Sequence, residues 1–195
     1  MATAPKPSGS DTRSEDRAEV SDAVLVIAAQ AGQSDAFTHL YRRYVARVHS
    51  FALRRLSGRE TAEDATQTTF LRAVANLHSC READHFAGWL FAIARNVVYD
   101  LQRTHQQHCR LVELADDLPD PSMSPEHLAI LRDADANMRQ IWSACLTPRE
   151  QDALELRLLG LNDKDISIVL RGTHGGIRTM QYRSLRKLHD YLVTH

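Results

Sequence analysis

The sequence predicts an all-α protein: two small helical domains joined by a flexible acidic linker, the second of them a helix-turn-helix. Three observations carry that expectation. Apolar residues recur at three- and four-residue steps through most of the 195 residues, and no stretch alternates apolar and polar residues as a half-buried strand would. Residues 107 to 126 break the periodicity with Asp116, Asp117, Pro119, Asp120, Pro121, Ser122 and Pro125, a composition suited to a linker. Beyond the break, Thr147-Pro148-Arg149-Glu150 and the glycines at 160, 172, 175 and 176 punctuate three further helices.

Residues 1 to 20 are rich in Ala, Pro, Ser and charge. They have little to bury against the entropy of ordering, so a disordered tail is expected. A first helix is predicted from Asp22 to Ala31, capped by Ser21 or Asp22 and ended by Gly32. Ser34 or Asp35 would cap the second, where Phe37, Leu40, Tyr41, Tyr44, Val48, Phe51, Ala52 and Leu56 share one face and arginines take the others. Gly58 stops it. The third helix, starting near Thr61, has Ala65, Phe70, Leu71, Val74 and Leu77 as its apolar stripe, and Leu71 is read as core. A fourth from about Phe86 to Gln106 would turn Leu90, Ile93, Ala94, Val97, Val98 and Leu101 inward, with Trp89 packing against the same apolar face.

After the linker, Leu128, Leu131, Ala134, Met138, Ile141 and Trp142 align on one face of a helix spanning His127 to Cys145. Thr147, Pro148 and Glu150 make a helix start with a capping box: a threonine oxygen for an orphan N–H, a proline in the first turn, a glutamate reaching back. Leu154, Leu156, Leu158 and Leu159 are expected to carry the burial before Gly160. A short helix from Asp163 to Leu170 follows, then a tight turn permitted by Gly172, and a last helix capped by Thr173 and running to about Val193.

Net charge is only −1, so composition gives no bulk signal for a polyanion. Placement does. Residues 36 to 110 hold 11 Arg against 6 acids, residues 111 to 135 hold 7 acids and one Arg, and residues 171 to 189 hold 5 Arg or Lys and no acid. Basic modules flank an acidic connector. Cys80, Cys109 and Cys145 are an odd set without disulfide-framework spacing, and no signal peptide or long apolar span accompanies them, so a cytoplasmic setting without membrane insertion is expected. His105, His108 and Cys109 fall short of four well-spaced donors and read as a solvated helix end; no metal and no cofactor is expected. No phosphate loop, Ser/His/Asp set or paired carboxylates in a pocket emerges, which argues against an enzyme.

In a helix-turn-helix the last helix enters the major groove, with residues near its N-terminus on base edges and later basic residues on phosphates. His174, Arg178, Thr179, Tyr182, Arg183, Arg186 and Lys187 are the candidates. The N-terminal half carries a more specific pattern. Ala36-Phe37, Leu40 to Tyr44, Ala62-Glu63-Asp64, Gln67, Phe70 to Ala73, Trp89-Leu90 and Ile93 to Asn96, with Leu146 to Glu150 and Leu154 to Arg157, resemble an extracytoplasmic-function sigma factor, the minimal form that keeps regions two and four. The resemblance covers about 70% of the chain, residues 36 to 106 and 127 to 192.

The resemblance implies domains at 21–106 (region two) and 127–195 (region four), joined by the linker at 107–126. It implies that Asp64, Gln67, Thr68 and Arg72 dock on core RNA polymerase, and that Arg81, Phe86, Arg95, Asn96, Asp100 and Arg103 engage the minus 10 element of promoter DNA, where one base is held out of the stack. Unstacking costs a few kcal/mol, about what a pocket and backbone charge can repay. The last helix would read the minus 35 element. An inhibitory anti-sigma factor is a further partner the resemblance implies. The chain departs from the family pattern at Thr68, where a glutamate is usual, at Gly172, Gly175 and Gly176, at Met180, usually basic, and at Gln181, usually apolar. Two other readings explain part of the pattern: a helix-turn-helix regulator acting without core polymerase, and a sigma-like interaction scaffold.

Overall fold

The structure is a computed structural model that describes residues 20–56, 58–112, 138 and 140–194. Helices α1 (Asp22–Gln30), α2 (Ser34–Leu53), α3 (Arg59–Ala75) and α4 (Phe86–Val112) form the N-terminal unit, with 3-10 turns at Leu77–Ser79 and Ala83–His85 between α3 and α4. Residues 140–145 are helical, and α5 (Pro148–Leu158), α6 (Asp163–Leu170) and α7 (His174–Thr194) form the C-terminal unit. The described residues contain no strand. The expected linker and the helix from His127 lie largely outside the described residues. Within them, α4 continues to Val112, past the expected end at Gln106.

Local chemistry accounts for most boundaries. Ser21 caps α1, its hydroxyl accepting from the Val24 N–H at 3.5 Å. Gln33, rather than Ser34 or Asp35, is the N-cap of α2; Asp35 sits in the first turn, where a carboxylate complements the helix dipole. Gly58, at φ +104°, turns the chain into α3, which therefore starts before Thr61. The capping box at Thr147 and Glu150 forms as the sequence predicts, and Asn162 caps α6 by accepting from the Asp165 N–H at 2.9 Å. The turn after α6 is made differently: Arg171, not Gly172, takes the left-handed backbone, at φ 48°.

Tyr44, Phe51, Phe86, Phe91, Leu40 and Leu90 fill the N-terminal core, all 3% exposed or less. Phe51 meets Phe91 edge-on with ring centroids 5.8 Å apart, and Tyr44 meets Phe86 at 5.5 Å. Helix α3 presents small residues to this core, Ala62, Ala65, Thr66, Thr69 and Ala73. The buried Thr66 and Thr69 hydroxyls donate to the Ala62 and Ala65 carbonyls at 2.7 Å, so neither is left unpaired.

The C-terminal unit does not stand apart. Leu156, Leu161, Ile166, Val169 and Leu170 belong to the same apolar cluster as the α2 and α4 residues. Gly88 of α4 lies so close to α6 that a Cβ there would stand 2.9 Å from the Asp165 Cα and carbonyl oxygen. Only glycine permits that approach.

Candidate polymerase and nucleic-acid interfaces

Three surfaces collect the residues singled out in the sequence. On α3, Asp64, Gln67 and Arg72 are exposed and Thr68 is half-buried. Positions 64, 67, 68 and 71 repeat at helical spacing and so share a strip. Leu71 is part of that strip, 69% exposed, with Val74 beside it at 55%. Both were expected in the core. The stripe on α3 is narrower than its apolar sequence suggests because Ala65, Phe70 and Ala73 already complete the contact with α2 and α4. An outward leucine and valine ringed by polar groups have the composition of a docking face.

The second surface is a groove of about 500 Å³ between α3 and α4, lined by Arg72, Arg95, Asn96, Tyr99, Asp100 and Arg103. Asn96, Asp100 and Arg103 are exposed, and Arg72 Nη1 lies 3.6 Å from Asp100. Arg81 is exposed on the loop between the two 3-10 turns, outside the groove's lining. Phe86 is a correction: it is fully buried, its ring held between Tyr44 and Trp89, so it offers no face to a base. It opens α4, and the first turn of that helix points Phe86 back onto α2. Trp89 packs on Phe86 at 5.7 Å and donates to Ser79 Oγ at 3.3 Å.

The third surface is α7. His174, Arg178, Thr179, Tyr182, Arg183, Arg186 and Lys187 are all exposed, whereas Ile177 and Ser184 are buried and hold the helix in place. The flanks are lightly tethered: Arg178 Nε lies 3.5 Å from Asp163, and Lys187 Nζ lies 2.7 Å from Glu150 Oε1. Partial burial works to raise the Glu150 pKa, but the Lys187 ammonium and the Thr147 donors outweigh it and hold the carboxyl below its ordinary value. Met180 packs against the core, so the missing basic side chain removes no outward charge from this helix. Gly176 is fixed by the cap: its N–H donates to Thr173 Oγ at 3.2 Å, and a Cβ would stand 2.9 Å from that oxygen. A Cβ at Gly175 would meet nothing within 4 Å.

A fourth cluster, which no sequence pattern marked, joins the two units. Asp152 of α5, 1% exposed, accepts from Arg55 Nη2 at 2.5 Å, Arg95 Nε at 2.7 Å and the Tyr99 hydroxyl at 3.1 Å. Glu155, one helical turn on, accepts from Arg55 Nη1. Arg47 Nε donates to the Leu159 carbonyl at 2.8 Å. Burial, then the Asp152 charge, raises the Tyr99 pKa and keeps its donor proton in place. In sequence, Asp152 and Glu155 look like ordinary solvated helix residues; only their position opposite α2 and α4 reveals them.

Among the described residues no helix is long and apolar enough to cross a membrane, and no group of His, Cys, Asp and Glu side chains could hold a metal ion. His105, His108 and Cys109 lie outside the described side chains. Burial pushes the Cys80 thiol up to about 11, so it is protonated at neutral pH.

Residues 40–108 match the family model for Sigma-70 region 2. The chain is 34% identical over 168 residues to the ECF RNA polymerase sigma factor BldN of Streptomyces coelicolor, covering 84% of this chain and 63% of that relative's length. It is 31% identical over 159 residues to the ECF RNA polymerase sigma factor ShbA of Streptomyces griseus subsp. griseus, covering 74% of this chain and 83% of that relative. Its fold is similar to that of the sigma factor RpoE of Bartonella quintana, solved with the anti-sigma factor NepR, at 21% identity and a TM-score of 0.61 over 80% of this chain and 96% of that one.

Proposed function

This chain belongs to the extracytoplasmic-function RNA polymerase sigma factors, and from that premise we propose that it is an alternative initiation subunit. It binds core RNA polymerase, recognises a two-part promoter and promotes strand opening, with no catalysis of its own, in the cytoplasm where polymerase works. The observation that supports this reading best is the division of outward chemistry among three helices. The strip of Asp64, Gln67 and Leu71 on α3 offers an apolar centre with a polar rim for a protein partner. The groove around Asn96 and Arg103 offers donors to a single strand, its arginines to phosphate and Asn96 to a base edge. Helix α7 offers an exposed basic face of the length and placement that a major groove accepts.

The domain limits at 106 and 127 and the roles of these residues belong to the proposal. So does an anti-sigma partner, which the complex of the Bartonella quintana relative suggests. The test is reconstitution: the purified chain is added to core polymerase on a pool of promoter fragments, and specific initiation and strand opening are read. Initiation is expected, and Asp64→Ala with Gln67→Ala should weaken the polymerase complex while leaving helix content unchanged. A chain that never engages polymerase yet binds duplex DNA as a dimer on a palindrome would overturn the reading in favour of a regulator. Engagement without initiation would leave a scaffold.

A further inference from the structure

Beside the apolar contacts of Leu156, Leu161 and Ile166, the seam between the two units carries a buried cluster of charges. Arg55, 11% exposed, and Arg95, 28% exposed, meet Asp152 and Glu155, 1% and 7% exposed. Burying ion pairs is expensive, and well-packed apolar residues of the same volume commonly serve stability as well or better. The seam is also incompletely satisfied. Glu155 Oε1 is buried with no hydrogen-bond partner, and burial raises the Glu155 carboxyl above its usual range despite Arg55 and Arg54 beside it. The arginine side of such a contact also suits a phosphate, because guanidinium groups pair with phosphate by the same forked geometry that they use for carboxylate.

The location matters as much as the chemistry. Arg95 lines the α3–α4 groove together with Asn96 and Arg103, and its Nε is occupied by Asp152 of α5. Arg55 approaches the same carboxylate from the end of α2. Asp152 and Glu155 are three residues apart on one helix and so present two anionic groups in a row. We propose that Arg55 and Arg95 form a phosphate-binding surface for promoter DNA, and that Asp152 and Glu155 occupy it in place of phosphates while α5 and α6 are packed on α2 and α4. Nothing in the sequence patterns marks Arg55 as a nucleic-acid contact. The inference rests on the reading of the chain as a promoter-binding subunit.

Gly88 gives a way to open the seam without touching its charges. The added methyl of Gly88→Ala would stand 2.9 Å from the Asp165 backbone, which cannot swing aside as a side-chain tip can, whereas α4 itself gains from alanine. The full-length chain would carry a donor dye at Glu60 and an acceptor at His189, both exposed, and would be titrated with a fluorescent single-stranded DNA oligonucleotide without polymerase. In Gly88→Ala the dye separation should lengthen. Apparent affinity scales with the open fraction and should rise about tenfold. Asp152→Asn with Glu155→Gln, nearly isosteric, should do the same and serves if Gly88→Ala melts. Adding Arg55→Gln to the open variant should reverse the gain and reduce the salt slope by about one contact's worth.

Unchanged dye separation and affinity in both opening variants would overturn the proposal. So would an open chain whose affinity and salt slope ignore Arg55→Gln. Neither result touches initiation by the wild-type chain with core polymerase, which tests the proposed function separately.

Discussion

The α1–α4 unit and the α5–α7 unit are built from the same element type and held by different means. The first buries five aromatic side chains at 5% exposure or less, Tyr44, Phe51, Phe70, Phe86 and Phe91, in edge-to-face contacts that add to their large buried area. The second fully buries no aromatic ring among its described residues. It depends on short aliphatic contacts, three side-chain caps and the flank of α4. Its longest helix, α7, has 21 residues and buries only Ile177 and Ser184. The difference teaches where each unit can spend surface. The first covers most of its interior with its own helices, α6 closing the side at Gly88, and leaves α3 and part of α4 outward. The second keeps almost all of α7 outward and is anchored at a few points.

Core truncation should break the comparison most visibly. Phe91→Ala removes the ring that meets Phe51 and should cost about 3–5 kcal/mol. Because α4 also underlies α6, the loss should lower the thermal midpoint of the α1–α4 unit most and that of the α5–α7 unit to a lesser degree. Ile177→Ala should cost about 2–4 kcal/mol and act locally: amide exchange should rise in α7 while α2 and α4 keep their protection. If exchange instead rose equally everywhere, the two units would be one cooperative body and the contrast would fail.

The glycines of α7 sharpen the same contrast with smaller effects. Gly175→Ala meets open space and should stabilise the C-terminal unit by roughly 0.5–1 kcal/mol. Gly176→Ala gains the same propensity but must displace Thr173 Oγ and so forfeits about that much capping energy, leaving its melting temperature near wild type. Equal stabilisation by both would remove the cap from the account.

Acid should produce the smallest effect. The Glu150 pKa is lowered in the folded chain, so its contribution is present above its unfolded value and is lost as pH falls through the lowered folded value. Relative to the intrinsic exchange rate at each pH, protection of the amides at the start of α5 should fall across that acid window, and Glu150→Gln should abolish the fall. A pH-independent protection factor in the wild type would sever Glu150 from the anchoring of α5 and α7.

Much of this was readable before any fold. Ser21, the Thr147–Pro148–Glu150 box and the stripe of Leu90, Ala94, Val97 and Val98 depend on neighbours within a turn or two, and local rules suffice for them. The outward residues of α7 follow from the helix-turn-helix pattern and their basic chemistry, and burial of Ile177 and Ser184 fixes the opposite face. Leu71 and Val74 were misread because periodicity reports an apolar stripe without reporting how wide the covering helices are. Phe86 was misread because a residue at a helix start can face either way until its neighbour is placed.

The sequence alone determined the helices of the described residues, the caps at Ser21, Thr147 and Thr173, the basic modules and the family. The tertiary structure decided which apolar stripe was left outside on α3, that Arg171 rather than Gly172 takes the left-handed turn, and that Asp152 and Glu155 lie buried against Arg55 and Arg95. The physical reason is range. Helix formation and capping are set by residues a few positions apart, whereas burial, close approach at Gly88 and the pairing of charges about 100 positions apart, as between Arg55 and Glu155, exist only once distant helices have been brought together.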